Sequence, residues 1–491
     1  ITNIFSPSFL FANKSNVNFW FNKAVLIKSY QQSYDWLNPW EKREIRTKSG
    51  MALVVDINYS KNSFLNNTNN NALYLLTTAE ITMDATLIEV TRKGVLQPYI
   101  AKIHLIDPAA NLALLKIDNE EFWQQLKPVE WDNLDSIEKT ISSSIGTLKI
   151  KSAEEWNYQS AKIEQMSVGY RKLINAWFPH MKISGVSKAG QGYPIIQNTK
   201  TVGMILKANS EEAKAIPTGM ILEFLRHSKI KKYRSLAHRG FNWQKLPQKS
   251  ISEYYKIPYQ KPGILISRVF PYGTGSDVLK KGDYLTKIGK WPISYEGKIN
   301  HPKWGKSLFD LLFLDILKVG EIVDLKLIRN GYPITLKSEV SSFKDIGKLV
   351  PLEKIGVSPR YIINGGFLFQ ELTLNYLKMW GKNWESRAPV RLRLFLKNNK
   401  SVNTFFKNKK ETKNNLLSKN NFKSRIVLVT QVIPDKINIG YQKITNAIVL
   451  KINDQEIKAL EDVDKAFSNH NSNFHRIDFL PGSNRLSAIL P

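Results

Sequence analysis

Residues 185–194 read Gly-Val-Ser-Lys-Ala-Gly-Gln-Gly-Tyr-Pro and lie between two strand-like runs, 179–184 and 195–206. A glycine-rich bend of this kind exposes one side chain at its tip, here Gln191, and turns backbone N–H groups into the same space. With serine at the tip, this geometry makes a nucleophile loop with an oxyanion hole. A carboxamide has no ionisable proton near neutral pH and cannot act as an acyl acceptor. Nearby stand Ser184, Ser187 and His180, which read either as ordinary strand and turn residues or as a relocated nucleophile and base. There is no cysteine, hence no disulfide, thiolate metal site or thiol nucleophile. The histidines, including the His470 and His475 pair in an Asn/Ser-rich turn, are scattered without metal-ligand spacing. No metal or other cofactor is expected.

The elements that must position this loop read as short strands at regular spacing: 85–92, 97–106 and 113–117, then 140–149 and 159–165. Such a series with turn signals between its members predicts β-barrels. The stretch 58–71 is Asn/Ser-rich and reads as a solvated hairpin loop.

The bend resembles the Gly-Asn-Ser-Gly-Gly-Pro loop of the HtrA/Deg family of trypsin-like serine proteases, with Gln191 in the nucleophile's place. Leu75-Leu76-Thr77-Thr78-Ala79-Glu80-Ile81-Thr82 resembles the family's segment carrying the catalytic His, and Glu80 stands at that position. Residues 107–118, Asp-Pro-Ala-Ala-Asn-Leu-Ala-Leu-Leu-Lys-Ile-Asp, resemble the segment carrying the catalytic Asp, with Asn111 in its place. The order His, Asp, Ser is thus kept as Glu80, Asn111, Gln191, and all three are replaced. Ala189 stands for a loop glycine and Tyr193 for the small residue before the proline. The family turn expected near 142–146 reads Ser-Ser-Ser-Ile-Gly, a departure.

The resemblance implies a mainly β chain: a trypsin-like double β-barrel followed by two PDZ-like domains. The expected boundaries are an aromatic-rich N-terminal segment at 1–35, the barrels at 36–232, the first PDZ domain at 233–345 and a second PDZ-like domain at 346–491. In the first PDZ domain, Leu279-Lys280-Lys281-Gly282-Asp283 is the strongest match, and Gly263, Ile264, Leu265, Ile266 and Arg268 are expected to receive a peptide by strand addition. In the second, Gly365, Gly366, Phe367 and Leu368 resemble the corresponding loop. An insertion at 397–423, rich in Lys and Asn with Glu411 as its acid, reads as solvated and mobile.

At 491 residues the chain is too long for one core. Its 42% hydrophobic and 11% aromatic content is that of a globular protein. No apolar run is long enough to cross a bilayer. The chain begins at Ile1, so an N-terminal piece is expected to be missing; residues 4–12 read as the end of a signal peptide or as an arm packed on the barrel. A net charge of +29 calls for an anionic partner, or reflects an AT-rich coding sequence. No zinc finger, helix-turn-helix or RNA-recognition motif accompanies it, so nucleic acid is not expected, while an anionic membrane surface stays among the partners. The leading expectation is a catalytically inactive homologue that binds peptides or proteins as scaffold, holder or subunit of a trimer or larger assembly. The alternatives are an endopeptidase with relocated residues, in which Glu80 serves as base, and an anion- or nucleic-acid-binding assembly protein using the basic surface. The resemblance places it in the periplasm or envelope of a bacterium, or in a mitochondrion or plastid.

Overall fold

A computed structural model describes residues 17–58, 73–132, 145–150, 154–171, 176–186, 189–246, 249–270, 273–342, 349–352, 354–397, 425–483 and 485–491. The arm at 4–12 and Ser187 lie outside these residues, as do residues 142–144 and nearly all of the 58–71 loop and the 397–423 insertion. The chain is mainly β and divides into two units: 1–31 with 45–344, and 32–44 with 345–491.

The first unit opens with β1 (Ala24–Gln31), β2 (Arg46–Asp56), β3 (Leu73–Thr77), β4 (Ala85–Thr91), β5 (Tyr99–Ile100), β6 (Lys102–Asp107) and β7 (Leu112–Lys116). They pair in the order β5-β4-β1-β2-β3-β7-β6. The two outermost strands are consecutive in the chain, separated by Ala101. One bent strand therefore serves both edges, and the covalent chain closes the barrel. Ala101 is buried and its N–H bonds the Ile88 carbonyl at 2.9 Å. Alternate residues of neighbouring strands, Val25 and Ile27, Ala52 and Val54, Ile88 and Val90, fill the core, as a two-residue period dictates.

β8 (Ile145–Ile150), β9 (Trp156–Arg171), β10 (Ala176–Ser184), β11 (Pro194–Gln197), β12 (Lys200–Ala208) and β13 (Glu212–Pro217) form a second, closed barrel in the order β10-β13-β12-β11-β8-β9. A helix follows at Thr218–Ser228, with Met220, Ile221, Phe224 and Leu225 buried.

The same unit continues with β14 (Phe241–Gln244), β15 (Ile264–Val269), β16 (Tyr284–Ile288), β17 (Trp291–Pro292), a β18 (Lys298–His301) and β19 (Gly305–Leu308) hairpin, β20 (Ile322–Arg329) and β21 (Tyr332–Glu339). The sheet order is β14-β15-β16-β20-β21, with β17 on β16. Asp283 ties this sheet together. Its carboxylate accepts from Arg329 at 2.7 Å and from the Lys280 N–H at 2.7 Å, so the Leu-Lys-Lys-Gly-Asp motif is a turn clamped to a distant strand.

In the second unit, β22 (Tyr361–Asn364), β23 (Phe367–Glu371), β24 (Val427–Val432), β25 (Ala447–Ile452), β26 (Gln455–Glu456), β27 (His475–Phe479) and β28 (Ser487–Leu490) form one sheet, ordered β22-β23-β24-β25-β27-β28 with β26 on β25. The helix Leu460–Ser468 buries Leu460, Val463, Ala466 and Phe467 against it.

The expected start of the barrels at residue 36 moves. β1, inside the segment read as an aromatic arm, is a central strand of the first barrel, paired with β2 and β4. Trp36, read as opening the barrels, instead packs with Leu349, Tyr376 and Leu392 in the C-terminal unit. Aromatic composition marked this stretch as apolar without saying which core takes it.

Candidate functional site

Three loops of the two barrels converge on one site. Glu80 lies in a single helical turn, Ala79–Thr82, directly after β3. Asn111 ends the turn between β6 and β7. That turn is built by Asp107, whose Oδ1 accepts the N–H groups of Ala109 at 2.8 Å and Ala110 at 3.1 Å, an Asx turn. Asn111 then takes a left-handed backbone, φ 57°, which asparagine tolerates better than other residues bearing a Cβ. Gln191 comes from the bend between β10 and β11.

The structure brings these side chains together. Gln191 Nε2 donates to Glu80 Oε2 at 2.9 Å, and Thr78 Oγ1 donates to Gln191 Oε1 at 3.3 Å. Asn111 Oδ1 accepts the Glu80 backbone N–H at 3.0 Å, so it holds the helical turn and not a neighbouring ring. The Glu80 carbonyl is bonded by Gln31 Nε2 at 2.9 Å and Lys48 Nζ at 3.1 Å. Glu80 and Gln191 are half-buried and Asn111 is buried.

The bend is seated by its backbone. The Gln191 carbonyl accepts from the Met51 N–H at 3.0 Å, the Gly192 N–H bonds the Ile205 carbonyl at 2.8 Å, and the Tyr193 carbonyl takes the Ile205 N–H at 2.8 Å. Gly192 has φ 82°, and a Cβ there would stand 1.9 Å from the Met51 carbonyl oxygen. Glycine is therefore required whatever stands at 191. Ala189 and Tyr193 are both buried, and the Tyr193 ring lies over Gly190, where a Cβ would meet it at 2.7 Å. Burial pushes the Tyr193 phenol up.

The relocated candidates are bound elsewhere. Ser184 Oγ donates to Glu164 Oε1 at 2.5 Å, while Glu80 is taken by Gln191. His180 is buried, its ring packed over Gly169. Among the described residues no group of three His, Asp or Glu side chains is placed to hold a metal ion.

A second contact fixes the site from the linker after the barrels. Tyr233 Oη donates to Asp107 Oδ2 at 2.5 Å, and Ser235 Oγ to the same oxygen at 2.7 Å. Burial, then the Asp107 charge, pushes the Tyr233 phenol far above its ordinary range. The sequence held no sign of these partners, nor of Gln31 and Lys48, because each lies far along the chain from the residue it holds. Thr78 lies within the Leu75–Thr82 segment, but nothing in the sequence set it apart from its neighbours.

The expected peptide strand is differently placed. β15, with Ile264, Leu265, Ile266 and Arg268, has neighbours on both sides: Gln244 and Tyr284 both pair with Leu265, and the Ile266 N–H and carbonyl bond Asp283 and Gly282. Strand addition beside β15 is thus closed. Gly263, at φ 149°, packs against Tyr284 and the Leu285 carbonyl. The outer strand on the β15 side of the sheet is β14, and β21 is the outer strand at the other side. Just before it, Arg239 Nη1 meets Asp310 Oδ1 at 2.5 Å, both side chains buried. Gly365 and Gly366, at φ 56° and 79°, are the two-residue turn joining β22 and β23, a pair of left-handed positions typical of tight hairpins. Asn438 Nδ2 donates to the Gly365 carbonyl at 2.9 Å, and Phe367 and Leu368 are buried.

A PDZ domain family matches residues 350–486. A putative protease Do-like 11, mitochondrial, of Arabidopsis thaliana is 24% identical over 473 residues, which are 93% of this chain and 70% of that protein. The chloroplastic protease Do-like 2 of the same plant is 24% identical over 453 residues, 88% of this chain and 65% of that protein. Among solved structures, an HtrA-type protease AlgW with decapeptide aligns over 67% of this chain and 98% of its own, at 16% identity and a TM-score of 0.47. The chain is similar over most of its length to the HtrA/Deg-family, trypsin-like Do-like proteases, and it carries a PDZ domain.

Proposed function

We propose that the chain is a catalytically inactive member of this group that works by binding peptides or proteins. The observation that carries the reading is the bond from Gln191 to Glu80. Acyl transfer needs a nucleophile, a base to take its proton, and donors for the oxyanion. Here the tip of the loop offers an amide, and the side chain at the base position is that amide's acceptor. The Asn111 oxygen is spent on a backbone N–H. Gln191 is bonded to Glu80 and Thr78, and Asn111 to the Glu80 backbone, a structural network of the kind that holds loops in place.

Binding is the remaining work of the fold. In the middle sheet a peptide adds to β14, the outer strand, in place of the interior β15; the half-buried Trp243 gives that edge an apolar anchor. The Do-like relatives named as mitochondrial and chloroplastic support an organelle as the setting if the source is eukaryotic. Assembly as a trimer or larger complex belongs to the same reading. The test is size analysis of the purified chain with and without added peptide, alongside peptide hydrolysis. Turnover that stays with the protein through successive columns overturns the reading.

A further inference from the structure

A cleft of about 260 Å³ lies at the end of β14. It is lined by Lys245 and Leu246, which follow β14, by Tyr259 and Lys261, and by Tyr284 and Tyr295. The wall is rigid on one side. Tyr284 is fully buried, and its hydroxyl donates to the Lys261 carbonyl at 2.6 Å, clamping the 258–261 turn to the sheet. The other side is open: Lys245, Tyr259, Lys261 and Tyr295 are exposed.

The charge balance at the cleft is positive. Among the described residues, neither Lys245 nor Lys261 forms an ion pair. One acid, Glu296, lines the cleft, and it is satisfied by Lys298 at 2.5 Å. Lys298, then Lys245, holds the Glu296 carboxyl below its usual range. Lys245 and Lys261 thus outnumber the one acid at the cleft, which Lys298 already bonds, and stand beside the exposed Tyr259 and Tyr295 rings, which offer flat apolar faces and hydroxyls.

Size and chemistry narrow the ligand. Small-molecule sites usually enclose about 300–1,000 Å³, so this cleft suits one or two side chains better than a cofactor. It continues from the end of an outer strand, whose edge offers backbone hydrogen bonds to an extended chain. We infer that this cleft binds an acidic, aromatic-containing peptide segment, with a Glu or Asp carboxylate between Lys245 and Lys261 and an aromatic ring against Tyr259 and Tyr295. The inference deepens the reading of the chain as a binding protein and rests on it.

The test is calorimetric titration of the full chain with a six-residue peptide of alternating Glu and Tyr, acetylated and amidated so that it carries no terminal charge. Its counterpart has Gln for every Glu. Micromolar binding of the Glu peptide is expected, weakened at least ten-fold in the Gln peptide and in the Lys245→Glu/Lys261→Glu variant. A Lys200→Glu/Lys207→Glu variant, with the same charge change on exposed residues of the second barrel, retains it. Tyr295→Ala weakens binding without changing charge. Equal loss in both charge variants, equal affinity for the Gln peptide, or no binding overturns the inference. Mass analysis of the recovered peptide separates the two readings: a cut peptide counts against the inactive site, and an intact peptide that does not bind counts against the cleft.

Discussion

Gln191 donates to Glu80 across 2.9 Å, joining residues 111 positions apart in the chain. This contact ties the bend before the second barrel's β11 to the helical turn after the first barrel's β3. It converts a pair of loops into a brace between barrels. Removing the Gln191 amide leaves a half-buried carboxylate without that donor, a loss of about 1–3 kcal/mol. Gln191→Ala is therefore expected to lower the urea midpoint. In a cycle with Glu80→Ala, the double variant loses less than the sum by about 1 kcal/mol. Strict additivity would show that the two side chains do not interact.

Asn111 carries two burdens, a left-handed backbone and the bond to the Glu80 N–H. Alanine loses both; glycine loses the bond but relaxes the backbone, which costs a Cβ-bearing residue about 1 kcal/mol. Asn111→Gly is expected to be more stable than Asn111→Ala by about that amount in chemical denaturation. The reverse order would contradict the backbone argument.

Tyr233 gives its proton's bond to a buried carboxylate. Hydrogen bonds to charged groups contribute about 1.5–3 kcal/mol, so Tyr233→Phe should destabilise the first unit by that order. Hydrogen exchange should rise at the 107–111 turn, which Asp107 also shapes. Unchanged exchange there would detach the linker from the site.

Glu223 sets a pH dependence. Burial opposes its charge, but hydrogen bonds from His227 and Arg226 and the charge of Lys318 overcome this and hold its carboxyl well below the usual range. A lowered carboxyl stabilises the fold fully above its unfolded value of about 4.3, and that contribution is lost as pH falls through and below it. Glu223→Gln should flatten the acid limb of stability below about pH 5. The buried Asp310, raised chiefly by desolvation, acts in the opposite sense, so the comparison is between wild type and variant at each pH.

Much of this was legible in the sequence, for identifiable reasons. Local motifs carry their geometry with them: Asp107-Pro108-Ala109-Ala110-Asn111 specifies an Asx turn ending in a left-handed residue, and Gly192 requires its φ. Convergence of Glu80, Asn111 and Gln191 followed from motif order. Sheet neighbours were less legible. An apolar strand such as β15 reads the same at an edge or in the interior, because its pairing with β14 and β16 is made by backbone groups that leave no mark in the side-chain pattern. The β1 strand was hidden by its aromatic surroundings, and the Tyr233 and Ser235 bonds to Asp107 span too many residues to leave a spacing signal.

The central claim is that the site performs no acyl transfer. In serine proteases an amide in place of the triad Asp alone lowers kcat about 10⁴-fold, and here all three positions are replaced. The direct measurement is turnover of casein and of a fluorogenic peptide by the purified chain, with fluorophosphonate labelling of the same sample. No turnover and no label are expected, both in the wild type and in Gln191→Ser, since that variant still has no imidazole at position 80 to carry a proton between nucleophile and leaving group. Turnover that copurifies with the wild-type chain through a second column and survives Gln191→Ala would contradict the account.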